Sequence, residues 1–177
     1  MKTLGAIVVM GVAGVGKTSV GRALADALGW RFEDGDDYHG DANRAKMAAG
    51  TPLTDEDRWP WLERLHTLLD EAIDSGEGLV LACSALRRAY RERLGEGDPR
   101  LAFLFLDGER EVIEARLAER SGHYMPAALL DSQLATLERP EDAVRITVDA
   151  SLDHVITTAL DALHRLDRHR HDDAPLA

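Results

Sequence analysis

Five residues within one short stretch, GVAGVGKT, carry the first chemical signal: Gly11, Gly14, Gly16, Lys17 and Thr18. Together they satisfy the spacing G-x-x-x-x-G-K-[ST] in full. That spacing suits a phosphate. Glycine admits positive φ angles and lets backbone N–H groups approach an anion closely. A lysine here reaches β- and γ-phosphates, and the hydroxyl after it ligates Mg2+. The stretch lies between an apolar run, AIVVM, and a helix-like run, SVGRALADAL. A helix starting there adds its positive N-terminal end to the same spot. Nucleotide contacts are therefore assigned to Gly11, Gly14, Val15, Gly16, Lys17, Thr18 and Ser19, with Thr18 also on the metal.

A phosphate loop specifies a nucleotide but no reaction, so the acceptor side must decide. The next polar segment, EDGDDYHGDAN, holds Asp34 and Asp36. At a strand's carboxyl end, one carboxylate can hold water on Mg2+ and another can take a proton from an acceptor hydroxyl. A solvated acidic turn is the plainer alternative. In TPLTDEDRWPWL, Thr54 reads as a helix N-cap and Arg58 falls early in the helix. Arg58 suits a carboxylate ligand or a surface ion pair with Asp55 or Glu56. Trp59 and Trp61 read as packing. In ACSALRRAYRERL, Ser84 ends a strand and Arg87, Arg88, Arg91 and Arg93 crowd the helix after it. Arg87 and Arg88 could hold an anionic acceptor, whereas Arg91 and Arg93 read as a solvated face. Finally, Arg116 and Arg120 precede a Ser-Gly break, the pattern of a hinged lid. Lid arginines can stabilise a transferring phosphoryl group, and closure excludes water.

The elements that must position these groups alternate. Strands are expected near Leu4–Met10, over WRFEDGDD to Asp34, over Gly78–Ala85, over RLAFLFLDG and over VRITVDA, with helical patterns between them. Such alternation predicts an α/β fold: three α/β/α layers around a mainly parallel five-stranded sheet. A single domain is expected over residues 1–168, with a lid at about 118–130 and a frayed polar tail over 169–177. His169 and His171 in that tail read as solvated rather than metal-bound.

Bulk properties narrow the partners. The formal net charge of -11 argues against a general nucleic-acid binder. One cysteine, Cys83, excludes an internal disulfide and reads as a small buried residue. No apolar stretch approaches the roughly 20 residues of a membrane span. The first residues merge into the glycine loop, and removing them would remove a strand, so a cytoplasmic protein is expected.

The segments together resemble the gluconokinase family, small P-loop carbohydrate kinases related to shikimate and adenylate kinases. The match runs over roughly residues 5–155. Its more specific parts are the G-D-x-x-H turn, PLTDEDRWPWL and LLDSQLATLE, in that order. The resemblance implies a P-loop kinase fold with a mobile lid, a homodimer, and Mg2+-dependent transfer of phosphate from ATP to the terminal hydroxyl of D-gluconate. It implies that Asp36 engages that hydroxyl, that Asp34 sits near the Mg2+ water shell, and that Arg58, Arg87 and His39 contact substrate. Arg120 becomes the phosphate-side lid arginine, Arg116 a nucleotide contact, and Lys17, Asp36 and Arg120 the catalytic set. Five positions depart from the family pattern: Gly40 replaces a proline, Arg87 a lysine, Ala13 and Val15 the two serines of a Ser-Gly-Ser, and Ser151 a proline. Another sugar-acid or shikimate kinase, or a nucleotide switch without acceptor, are the competing readings.

Overall fold

The computed structural model describes residues 3–119 and 127–172. Five strands form one sheet: β1 (Ala6–Met10), β2 (Arg31–Asp34), β3 (Leu79–Ala82), β4 (Leu101–Asp107) and β5 (Val144–Thr147). Their order is β2-β3-β1-β4-β5, and every neighbouring pair is parallel. The helices are α1 (Lys17–Leu28), α2 (Asp41–Ala48), α3 (Asp55–Ser75), α4 (Arg88–Arg93), α5 (Arg110–Glu119), α6 (Ala127–Thr136) and α7 (Leu152–Asp172). A short 3-10 turn, Gly35–Tyr38, leads from β2 towards α2.

Strand periodicity divides the core in two. Along β1, Ile7 and Val9 face one helical layer while Ala6, Val8 and Met10 face the other. Along β4, Ala102, Leu104 and Leu106 join the first core, and Leu101, Phe103 and Phe105 the second. Successive side chains of a strand point to opposite faces, so a strand buried on both is apolar throughout. The first core is closed by α1 and α7, with Ile113 of α5 and Leu130 of α6; the second by α3 and α4. This is the expected three-layer α/β/α arrangement.

The strand order positions the chemistry. In a parallel sheet all carboxyl ends share one edge, where ligands bind. Because β2, β3 and β1 are neighbours, the loops after them meet there: the glycine loop, the acidic turn and the Ser84–Arg87 turn. That last turn bends sharply at Ala85, whose φ of 44° makes it the one non-glycine with positive φ among the described residues.

Two features differ from the sequence expectation. Arg91 is buried rather than solvated: its Nε pairs with Glu96 at 2.9 Å and its Nη1 donates to Glu138 O at 2.9 Å. The last helix runs on to Asp172, past the expected tail boundary at 168. Arg170 anchors that extension, with Nη1 donating to Pro99 O and Leu101 O at 2.9 Å each. No helix among the described residues is long and apolar enough to cross a membrane.

Candidate active site

The phosphate loop starts where β1 ends. Gly11, Gly14 and Gly16 all have positive φ, at 141°, 81° and 108°. Space also demands glycine: a Cβ on Gly11 would lie 2.8 Å from Leu106 O, and one on Gly14 would lie 2.5 Å from the Leu117 side chain. Lys17 and Thr18 open α1, so the lysine and hydroxyl stand at a helix N-terminus. Lys17 Nζ donates to Val12 O at 3.1 Å.

Thr18 faces the acidic turn. Its hydroxyl donates to Asp34 Oδ2 at 3.0 Å, while Asp34 Oδ1 accepts from the Asp36 N–H at 3.2 Å. One carboxylate thus caps the 3-10 turn and reaches the phosphate loop. Hard oxygen donors with few carboxylates suit Mg2+, which keeps several waters and takes further ligands from phosphates. Among the described residues no group of three or more His, Cys, Asp or Glu gathers as a metal cage, and His169 and His171 form none.

Asp36 points outward beside this pair, its side chain 82% exposed. Lost solvation raises its pKa, Asp34 raises it further, and Lys17 and His39 partly oppose the rise. Below it lies His39, which is buried and stacked on Trp61 with ring centroids 4.2 Å apart. Asn43 Nδ2 donates to Asp57 O at 2.8 Å and lies 3.4 Å from His39 Nδ1. Since a carbonyl only accepts, the atom facing both must be the amide nitrogen. His39 Nδ1 therefore accepts, and Nε2 carries the proton towards Asp36 Oδ1, 4.0 Å away. Burial lowers the His39 pKa, against the pull of Asp36, and keeps the ring neutral near pH 7. His39 is thus placed behind Asp36.

Arg58 and Arg87 converge from α3 and from the turn before α4. The α3 start is fixed by a capping box: Thr54 Oγ1 accepts from Asp57 N, and Asp57 Oδ2 accepts from Thr54 N. Asp55 stands between the arginines, 2.9 Å from Arg87 Nη1 and 3.8 Å from Arg58 Nη1. Tyr90 donates its hydroxyl to Asp55 Oδ1 at 2.5 Å, and both guanidinium groups lie over the Tyr90 ring. The ion-pair alternative for Arg58 and the convergence of two arginines are both present.

On the other side of the loop, an open cavity of about 450 Å³ is lined by Gly16, Ser19, Arg116, Val148, Ala150 and Leu152, among others. Arg116 donates to Val15 O at 3.3 Å and to Val148 O, which fixes it at the cavity wall. Arg120 and residues 121–126 lie outside the described residues. Cys83 is buried in the second core just past β3, and burial pushes its thiol up to about 12.

Known proteins resemble this chain in sequence and in fold. A family model described as an AAA domain matches residues 7–140. A probable gluconokinase of Rattus norvegicus is 44% identical over 92% of this chain and 100% of its own. The gluconokinase of Gluconobacter oxydans is 52% identical over 77% of this chain and 76% of its own. The crystal structure of a gluconokinase from Sinorhizobium meliloti superposes with a TM-score of 0.86 at 43% identity, covering 97% of this chain and 98% of that one. The chain belongs to the gluconokinase family.

Within this gluconokinase-family chain, the acidic turn and LLDSQLATLE each touch the phosphate loop, and PLTDEDRWPWL touches the acidic turn, where Trp61 Nε1 donates to Gly35 O at 2.7 Å. The G-D-x-x-H turn supplies Asp36 and His39, with Asp34 just before it at the end of β2, and the PLTDEDRWPWL segment supplies Asp55 and Arg58. LLDSQLATLE, to which sequence reasoning gave no chemistry, forms α6 and sends Gln133 Oε1 to the Ala13 N–H at 2.6 Å. Two other residues were missed, Asn43 and Tyr90, as was the pairing of Asp55 with Arg87 in addition to Arg58. Asn43 lies in the first turn of α2 while His39 precedes that helix in extended backbone, so no helical spacing announces the pair.

Proposed function

We propose that the protein transfers the γ-phosphate of ATP to the terminal hydroxyl of D-gluconate, giving 6-phospho-D-gluconate and ADP. The observation that carries this reading is the meeting of three loops at one sheet edge. A full phosphate loop lies beside an acidic turn, and that turn lies beside a pair of arginines. A polyhydroxy acid needs such a set: a carboxylate to collect protons from a hydroxyl, cations for its own carboxylate, and a cradle for the donor. Sequence likeness to gluconokinases over nearly the whole chain supports the choice of acid.

In this reading the backbone N–H groups of residues 14–19 hold the ATP phosphates, and Lys17, seated on Val12 O, reaches the β- and γ-phosphates with its remaining donors. Thr18 would ligate Mg2+, with Asp34 holding water on it. Bound there, the metal would supply charge neutralisation to the phosphates. Asp36 accepts the proton of the substrate hydroxyl, and neutral His39 steadies that carboxylate from behind. Arg58 and Arg87 hold the gluconate carboxylate, exchanging part of their contact with Asp55 for it. Arg116 borders the nucleotide, and Arg120 contributes from the lid. Little covalent work falls to the protein; positioning and electrostatics do the catalysis. A cytoplasmic homodimer accompanies this reading, supported by the family resemblance and the sequence alone.

The test is ADP formation by purified protein with Mg-ATP, alone and with D-gluconate, shikimate or other sugar acids. Stimulation by gluconate above the other acids is expected. Stimulation by a different acid would replace the substrate. Equal, slow hydrolysis under all conditions would remove the acceptor altogether.

A further inference from the structure

One peptide unit of the phosphate loop is gripped at both ends. Its carbonyl, Val12 O, accepts from Lys17 Nζ at 3.1 Å, and its amide, Ala13 N–H, donates to Gln133 Oε1 at 2.6 Å. The lysine comes from the loop itself. The glutamine comes from α6, 120 positions further along the chain. The peptide plane is rigid, so a hold on the N–H also orients the carbonyl on which Lys17 rests.

Gln133 is itself held in place. On its own helix, Leu130 is fully buried and Leu134 packs on the same core. Just beyond the helix, Glu138 N donates to Leu86 O at 2.8 Å, and Glu138 Oε2 accepts from Arg88 N at 2.6 Å. Buried Arg91 donates to Glu138 O at 2.9 Å. The carboxamide therefore reaches the loop from a scaffold fixed on both sides. Such support is what keeps a functional group within a fraction of an ångström of its working position.

We propose that Gln133 is a positioning residue for phosphoryl transfer: it sets the Val12–Ala13 peptide and, through it, the seat from which Lys17 engages the transferring phosphate. This rests on the kinase reading above. The glutamine touches the loop, not the acceptor corner of Arg58 and Arg87, so its effect belongs on turnover and not on acid binding.

Gln133→Met keeps length and apolar stem but loses the acceptor; Gln133→Ala removes the reach entirely. With Mg-ATP and gluconate, both variants are expected to lose about tenfold or more in kcat, since small misplacements are costly in positioned reactions. KM for gluconate should hold within about twofold, and the thermal midpoint of Gln133→Met should stay close to that of the parent protein. Unchanged kcat in both variants would overturn the proposal. So would a kcat loss that travels with an equal rise in KM for gluconate or with a large fall in the melting midpoint, because that is the mark of general disruption. If the parent protein shows no gluconate stimulation, the substrate reading fails, and basal ATP hydrolysis, which needs Lys17 but no acceptor, decides on Gln133. A reduced basal rate in both variants sustains the role, and an undiminished one ends it.

Discussion

Thr18 Oγ1 donates to Asp34 Oδ2 at 3.0 Å, joining the phosphate loop to the acidic turn across the ends of two strands that are not neighbours in the sheet. In the proposed reading this pair would hold Mg2+, with Thr18 as a ligand and Asp34 acting through water. Asp34→Asn should raise the Mg2+ concentration for half-maximal rate by about 10–100-fold, the usual effect of losing an outer-shell partner. A Mg2+ titration at fixed ATP checks this. An unchanged midpoint would take Asp34 out of the metal's surroundings.

Asp36 must be ionised to accept a proton. Its pKa is raised, first by lost solvation and then by Asp34, with Asp37 adding and Lys17 and His39 opposing. Activity is therefore expected above the raised value and lost as pH falls through it, with the acid limb of kcat/KM above the ordinary aspartate range. Asp36→Asn should cut kcat by about a hundredfold or more while leaving KM for ATP nearly unchanged. Measured pH profiles of the two proteins decide the matter; a variant of parental kcat would rule Asp36 out as the base.

Local pattern and long-range contact explain what the sequence revealed and what it hid. The alternation in β1 and β4 is printed in the chain as continuous apolar runs, and the glycine loop is a contiguous motif, so both were readable. Thr54 as N-cap was readable because capping is local. Arg91 was misread because its partners, Glu96 and Glu138 O, make burial tolerable and one of them lies 47 residues away. The tail was misread for the same reason: Arg170 is tied to carbonyls 69 and 71 residues distant. Gln133 had a conspicuous motif around it, yet nothing in that motif names Ala13 as its partner.

The two arginines should act on acid binding. Arg58→Ala and Arg87→Ala are each expected to raise KM for gluconate by about 10–100-fold, the worth of a charge-assisted hydrogen bond, with a smaller change in kcat. Arg87→Lys should recover only part of the loss, because a lysine cannot contact Asp55 and a carboxylate through a planar fork. Steady-state kinetics with gluconate varied at saturating ATP provide the test. If either alanine variant keeps the parental KM, that arginine belongs to the Asp55–Tyr90 ion-pair corner and not to the substrate.

His39 links the site to stability. Burial against Trp61 lowers its pKa below the ordinary 6.5, and Arg58 and Arg44 lower it further, while Asp36 raises it. A histidine depressed in the folded state binds fewer protons there than in the unfolded chain. Its contribution is thus present above pH 6.5 and lost as pH falls through the depressed value. His39→Phe keeps a ring on Trp61 but cannot titrate. Whatever its absolute stability, its melting midpoint should fall less than the parent's on acidification from about pH 7.5 to about pH 5. Equal falls in both proteins would mean that His39 titrates alike in the folded and unfolded states, and the neutral, Nε2-protonated ring behind Asp36 would have to be abandoned.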